Sequence, residues 1–95
     1  MLELTGRVQN ILVTPKGTTR EGDEFGGFHQ VQLLREERLR NGEVRLKLEN
    51  LRAERHEDFQ ALKGHMVRVP VGIYVRNSSP GFFLERDASP EDLGA

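Results

Sequence analysis

The chain has 95 residues, of which 36% are hydrophobic, 31% are charged and none is cysteine. This length is typical of one domain with one hydrophobic core, and it leaves no room for a separate catalytic domain. Disulfides and thiolate metal sites are excluded because cysteine is absent. The N-terminal residues show no secretory signal, and no apolar run approaches the ~20 residues that span a bilayer, so we expect a cytoplasmic protein.

The formal net charge is −1 at pH 7, from 14 basic and 15 acidic residues. Three of the acids, Asp87, Glu91 and Asp92, follow Arg86, so residues 1–86 carry a small positive charge of +2. Most of the bases are arginine, whose planar guanidinium can stack on rings and contact phosphate through two nitrogens. Because the net charge is so small, any basic binding surface must be local.

The first half of the chain predicts three strands. Leu2–Val13 is the first strand, and Thr14–Glu24 is a polar loop punctuated by proline and glycine. Phe25–Arg35 is the second strand. Asn41-Gly42 is typical of a hairpin turn, because both residues tolerate a positive φ, and Glu43–Leu51 is the third strand.

A helix and two more strands are predicted in the second half. Arg52–Leu62 has the spacing of a short helix, and His65–Val75 alternates as a fourth strand. Pro70 lacks an amide donor, which predicts an edge position or a bulge for that strand. Phe82–Arg86 is a short fifth strand, and Asp87–Ala95 is predicted to be a disordered acidic tail.

Three strands, a helix and two strands predict a mainly β fold. The order favours a five-stranded Greek-key barrel of the oligonucleotide/oligosaccharide-binding (OB) type. Residues 1–86 would form the barrel, with one short helix between strands 3 and 4 at its end, and residues 87–95 would form the tail. An SH3-like barrel is the main alternative, and a β-sandwich fits less well with so few strands.

Alternation along the strands predicts which side chains face solvent. In residues 43–49 the aliphatic residues Val44, Leu46 and Leu48 share one face, and the charged residues share the other. In residues 66–75 the valines and Ile73 face inward. The bases predicted to point outward are Arg7, Arg45, Lys47 and Arg68.

These outward bases could follow a phosphate backbone. Lys16 and Arg20 lie in the polar loop, where they could close over a bound strand as a flexible finger. The alternative for the strand residues is a solvated face with cross-strand pairs to glutamates, and for the loop residues it is ordinary solubility.

Aromatic rings are candidates for stacking on bases. Parity places Tyr74 and Phe28 on outward faces, whereas Phe25, at the base of the loop, can stack or can cap the barrel. The alternative for Tyr74 is a ring that covers a neighbouring strand or contacts a second subunit. Phe59 is predicted to lie in the core, together with one of the pair Phe82 and Phe83, and the other of that pair is a weaker candidate for stacking.

No catalytic or metal site is predicted. The three histidines, His29, His56 and His65, have no zinc-site spacing, and Ser78-Ser79 lies in a turn without an activating partner. The glycine-containing segment 22–27 matches neither a phosphate loop nor a calcium loop. We therefore expect a non-catalytic protein without a cofactor.

Three segments resemble the small single-stranded DNA-binding proteins of filamentous phages and related mobile elements. They are Thr18–Leu33, with its glycine-containing loop before an aromatic strand, Ala61–Val75, and the turn and paired phenylalanines of Arg76–Arg86. The resemblance covers most of residues 4–86. It implies sequence-tolerant DNA binding, homodimers and cooperative coating of DNA in a bacterial or phage-infected cell. The Arg52–Leu62 helix departs from that pattern and is more similar to the helix of the general bacterial single-stranded DNA-binding barrel.

The sequence therefore predicts a non-catalytic protein that binds single-stranded DNA with little base selectivity, during replication or transfer of a phage or mobile element. Binding of RNA is a variant of this hypothesis. The expected partners are single-stranded nucleic acid and further copies of the chain, without a membrane. The alternative, favoured by the near-zero net charge, is a protein-interaction or oligomerisation module on a small β-barrel that binds no nucleic acid.

Overall fold

Alternating valine and leucine residues fold most of the chain into antiparallel strands. The computed structural model describes residues 2–95, and the prediction of a mainly β fold is confirmed. In chain order the elements are β1 (Glu3–Val13), β2 (Gly17–Thr18), β3 (Glu24–Phe25), β4 (His29–Arg38), β5 (Val44–Arg52), α1 (His56–Gln60), β6 (Met66–Arg76), β7 (Ser79–Leu84) and β8 (Glu91–Gly94).

Six of these strands form one antiparallel sheet. Five of them lie in the order β5-β4-β1-β6-β7, and β8 also pairs with β6. β2 and β3 form a separate two-stranded ribbon inside the loop that connects β1 to β4. β5 and β7 lie at the two ends of the order, and within residues 2–95 no backbone hydrogen bond joins them.

The hydrophobic core lies on one face of the sheet and is closed by α1. Phe59 of α1 is fully buried, which confirms its prediction as a core residue. α1 is shorter than predicted because β5 continues to Arg52 and Ala53 remains held by a bond from its amide to the His29 carbonyl (2.9 Å). The buried aliphatic residues around Phe59 are Leu4, Val8, Val31, Leu33, Leu51, Ala53, Val67, Val69 and Val71.

Two hairpin turns set the register of the long strands. The predicted Asn41-Gly42 turn joins β4 to β5, with Gly42 at φ +87°. Asn77 and Ser78 join β6 to β7, and both have a positive φ (51° and 64°), as a two-residue type I′ turn requires. The second turn is tighter than predicted, so β7 begins at Ser79 instead of Phe82.

Pro70 lies within an internal strand, so its predicted edge position is wrong. β6 pairs with β1 on one side, while Val67 and Arg68 pair with β8 and residues 71–76 pair with β7. Pro70 lies between the β8-paired and β7-paired parts of β6, and its carbonyl accepts a bond from the Glu85 amide (3.1 Å). Proline has no amide donor, and Pro70 therefore occupies a position of β6 between the residues that pair with β8 and those that pair with β7.

The predicted inward face of β5 is wrong. Val44, Leu46 and Leu48 are exposed, and the buried positions of this strand region are Leu51 and Ala53, which have the opposite parity. The register pairs Val31 with Leu51 and Leu33 with Glu49, so the charged residues of β5 share the core side of the sheet. Ile73 and Val75 are exposed as well. The ends of both long hairpins extend beyond the core, so their alternation no longer decides burial.

The C-terminal segment carries a strand. Within residues 87–95, where a disordered tail was predicted, Glu91–Gly94 forms β8 and pairs with the first residues of β6. α1 has five residues, and no helix in residues 2–95 is long and apolar enough to cross a membrane.

Candidate nucleic-acid interface

An open groove of about 460 Å³ runs between β5 and β7 and combines aromatic rings with arginines. Its lining includes Phe28 and Tyr74, two of the predicted stacking residues, together with Arg52, Arg76 and Phe83. The groove therefore gathers side chains from four parts of the chain: the start of β4, β5, β6 and β7. We call it the aromatic groove.

Two rings of the aromatic groove lie on the outward face of the β6–β7 hairpin. Tyr74 is 47% exposed and Phe83 is 45% exposed, and their ring centroids lie 6.5 Å apart. Tyr74 is paired with Gly81 and Phe83 with Gly72, and a Cβ on either glycine would meet the facing ring at 2.5 Å or less. The glycines thus leave room for each ring to lie across the neighbouring strand.

The ring of Phe28, also in the aromatic groove, is half-buried beneath an arginine. The Arg52 guanidinium carbon lies 4.6 Å from the Phe28 ring centroid, within the range of a cation–π contact. The Phe28 amide donates to the Thr14 hydroxyl (3.2 Å), and its carbonyl accepts from the Thr14 amide (2.9 Å). The backbone of Phe28 is therefore tied to the end of β1, and Arg52 is positioned by its register partner Gln30.

The two arginines of the aromatic groove have no acidic partner within residues 2–95. Neither Arg52 nor Arg76 forms an ion pair there, although Glu54 and Glu85 also line the groove. The two arginines and two glutamates of the lining therefore sum to a formal charge of zero. Both guanidinium groups can still pair with an added anion.

Four of the predicted phosphate contacts lie outside the aromatic groove. Arg45 pairs with Glu37 (2.9 Å), and the carboxylate of Glu49 lies 3.7 Å from Lys47. The Arg45 hydrogen bond lowers the pKa of Glu37 below its usual value. These two bases lie on the core side of the β5 hairpin, so the prediction that they face outward with the other bases is wrong.

The other two strand bases are also engaged. A guanidinium nitrogen of Arg7 donates to the Gly64 carbonyl (2.6 Å), which ties β1 to the residues before β6. Arg68 lies opposite Glu91 of β8 and pairs with it at 3.1 Å. The strand bases thus do not form one continuous basic surface with the aromatic groove.

The loop residues Lys16, Arg20 and Phe25 lie apart from the aromatic groove. Lys16 and Phe25 line a separate depression of about 280 Å³ at the β2–β3 ribbon, and the Phe25 ring lies against Gly17. Arg20 is exposed at the turn between β2 and β3 and forms no ion pair within residues 2–95.

The histidines are used in packing and pairing contacts. The rings of His29 and His56 are stacked, with centroids 3.5 Å apart, and they join the start of β4 to the start of α1. His65 contacts Asp92 of β8. Within residues 2–95, no group of three or more potential ligands is placed to hold a metal ion.

The pairing of β8 is expected to depend on pH. A hydrogen bond with His65 (3.1 Å), followed by one from the Gly94 amide (2.9 Å), lowers the pKa of Asp92 below its ordinary value of 3.8. A lowered pKa means that the folded state favours the ionised carboxylate of Asp92. Its stabilisation of the β8 pairing is therefore present at neutral pH and is lost as the pH falls below 3.8 through the lowered pKa. Amide hydrogen exchange of residues 91–94 should therefore accelerate, relative to β1, in acid.

The matched control for this pH dependence is Asp92→Asn, which removes the titrating group. Its β8 exchange, corrected for the intrinsic pH dependence of exchange, should be faster than in the wild type at neutral pH and should change less in acid. Wild-type protection that disappears between pH 7 and pH 5 would contradict this assignment.

Sequence reasoning missed Arg52 and Arg76, and it left open which of Phe82 and Phe83 is exposed; the structure packs Phe82 against the core and leaves Phe83 exposed. The predicted helix includes Arg52, whereas in the structure Leu51 and Ala53 continue an alternating pattern in which Arg52 occupies the outward position. That alternation was the available signal. Arg76 has no local signal, because only the approach of the β6–β7 hairpin to β5 places it in one groove with Arg52. Neither a protein-family model nor a curated protein sequence matches this chain.

Proposed function

We propose that the protein binds single-stranded DNA, without catalysis and with little base selectivity, through the aromatic groove. The observation that carries this proposal is that one open groove combines four aromatic rings, those of Phe28, Tyr74, Phe82 and Phe83, with two arginines that have no acidic partner within residues 2–95. Rings stack on any base, and arginines contact phosphates, so this combination favours sequence-tolerant binding. We propose that this binding serves the replication or transfer of a phage or mobile element, and the basis for this part is the sequence resemblance alone.

We further propose that β1, β4, β5, β6 and β7 correspond to the five strands of an OB-type barrel. Their order in the sheet and the position of α1 between β5 and β6 support this assignment. In such a barrel β5 and β7 would meet, and the aromatic groove, lined by residues of both strands, would follow their junction.

The rings and the arginines of the aromatic groove have different roles in the proposed complex. Tyr74 and Phe83 provide two neighbouring rings for successive bases, and Phe28 provides a third beneath Arg52. Arg52 and Arg76 contact phosphates, which makes the affinity fall as salt is added. Lys16, Arg20 and Phe25 contribute only if the β2–β3 ribbon folds over the bound strand.

The chain provides its own probe for this proposal. Tyr74 is its single tyrosine and it has no tryptophan, so tyrosine fluorescence reports on the aromatic groove. Addition of oligo(dT) of about 16 nucleotides at low salt should quench that fluorescence, since bases stack on the ring. In anisotropy titrations with labelled oligo(dT), Tyr74→Ala should lose about 1–3 kcal/mol of binding free energy.

Two control variants separate stacking from other effects. Tyr74→Phe keeps a ring and should bind nearly as well as the wild type. Val75→Ala changes the adjacent residue on the opposite face of β6 and should have no effect. Absence of binding at low salt would instead support the alternative, a protein-interaction module without nucleic-acid binding. Equal affinity of Tyr74→Ala and the wild type would remove the aromatic groove from the proposal.

A further inference from the structure

An unpartnered aliphatic face lies on the outer side of the β4–β5 hairpin, turned away from the core. Leu46 is 64% exposed, and Val44 and Leu48 beside it on β5 are about half exposed. In the register with β4, Leu48 lies opposite Leu34, Leu46 opposite Glu36 and Val44 opposite Arg38. We call Val44, Leu46 and Leu48 the β5 ridge.

The β5 ridge is unusual for an edge strand. Edge strands of soluble proteins normally carry charged residues toward solvent, which opposes contact with other chains. Here Arg45 and Lys47, which alternate with the three aliphatic residues, point to the core side, where they pair with Glu37 and Glu49. Three aliphatic side chains at alternate positions are therefore left in water, an arrangement that marks interaction surfaces.

A depression lies beside the β5 ridge on the same side of the sheet. It has a volume of about 600 Å³, and its lining includes Thr5, Arg7, Leu34 and Met66, and also Leu46 of the ridge. Leu34, Met66 and Arg7 are register partners across β4, β1 and β6, so they share the outer face. This side of the sheet thus presents a ridge and a hollow next to each other.

The β5 ridge is flanked by one acidic and one basic side chain. Glu36 and Arg38 flank the ridge on β4, and neither forms an ion pair within residues 2–95. A partner of one charge sign would leave one of them unpaired, whereas a second copy turned by two-fold rotation offers Arg38 to Glu36 and Glu36 to Arg38. A two-fold interface requires a patch that complements itself.

We propose that a second copy of this chain covers this face, with the β5 ridge of each copy packed into the depression of the other. The net charge of −1 opposes such pairing little. The aromatic groove begins further along β5, at Asn50 and Arg52, and its rings are not part of the interface. The homodimer therefore stands independently of the proposed DNA binding.

The proposal predicts a concentration-dependent dimer. In sedimentation equilibrium from about 1 to 500 µM protein, the mass should rise from 10.8 kDa toward twice that value. Leu46→Glu places a charge in the interface and should weaken dimerisation on the order of 100-fold or more, so that the variant sediments as a monomer. Because Leu46 is exposed in the single chain, the variant should fold with a normal circular dichroism spectrum.

The matched control is Val75→Glu, at a more exposed aliphatic position (72%) on the β6–β7 hairpin. This variant should dimerise like the wild type. A wild type that remains monomeric throughout, a dimer that survives Leu46→Glu, or a dimer that Val75→Glu alone dissociates would each overturn the proposal. Oligo(dT) quenching of Tyr74 in Leu46→Glu shows separately whether DNA binding is retained.

A second measurement does not depend on the folding of Leu46→Glu. The chain has no cysteine, so a single Leu48→Cys substitution gives one thiol in the proposed interface. Its alkylation should slow as the protein concentration rises, while a Val75→Cys thiol should react at a constant rate. Equal, concentration-independent rates at both positions would overturn the proposal.

Discussion

Phe59→Ala is expected to lose about 3–5 kcal/mol of unfolding free energy, the range for removal of a buried phenylalanine. Phe59 is fully buried and is the only large aromatic side chain in the core cluster of residues 2–95. α1 has only five residues, too few for a stable isolated helix, so its position depends on this contact. Since a domain of this size is stable by only ~5–15 kcal/mol, the variant should be partly unfolded near 37 °C.

Urea and thermal unfolding measure this loss, and each kcal/mol should lower the melting temperature by about 4–8 °C. Phe83→Ala is the matched control, because it makes the same change at a half-exposed ring outside the core. It should lose less than about 1 kcal/mol of stability while weakening oligo(dT) binding. Equal stability losses in the two variants would show that α1 does not close the core as described.

Arg35→Met is expected to lose about 2 kcal/mol, because it leaves the carboxylate of Glu49 without its main partner in a mostly buried site. Two guanidinium nitrogens of Arg35 bond the same Glu49 oxygen at 3.0 and 2.8 Å, and the two side chains are only 12% and 14% exposed. The guanidinium carbon also lies 5.3 Å from the Phe82 ring centroid. This pair therefore links the β4–β5 hairpin to β7, across the side of the sheet that carries the core.

The neighbouring pair Arg45–Glu37 provides the comparison within the same hairpin. Its side chains are 58% and 29% exposed, so Arg45→Met should lose less than about 1 kcal/mol. A double-mutant cycle of Arg35→Met with Glu49→Gln, followed by urea unfolding, isolates the coupling of the buried pair. Coupling no larger than that of the exposed pair would contradict the link proposed between the hairpin and β7.

The positions of the long strands and the turn at Asn41-Gly42 were predictable because their signals are local. The alternation of Val67, Val69 and Val71 fits buried positions of β6, and Asn41-Gly42 forms the expected turn. Tyr74 points outward as its parity predicts. These outcomes follow from backbone geometry, which gives a strand a period of two and lets glycine adopt a positive φ.

The face of β5 could not be decided from alternation alone. Its aliphatic residues change phase between Leu48 and Leu51, and both phases are compatible with a strand. Pairing with Val31 buries Leu51, and pairing with Leu33 turns Glu49 to the same side. The choice between the two phases depends on β4, α1 and the extent of the core, which are distant in the sequence.

The sequence by itself therefore determined a small, cysteine-free, mainly β chain and the outward direction of Tyr74, since composition, alternation and turn residues act locally. Only the tertiary structure decided that Arg52, Arg76 and Phe83 lie in one groove with Tyr74, that Arg45, Lys47 and Arg68 pair with acids elsewhere, and that the β5 ridge faces water. The physical reason is that parity orients a side chain relative to its own strand, whereas its neighbours are set by the long-range register of the sheet.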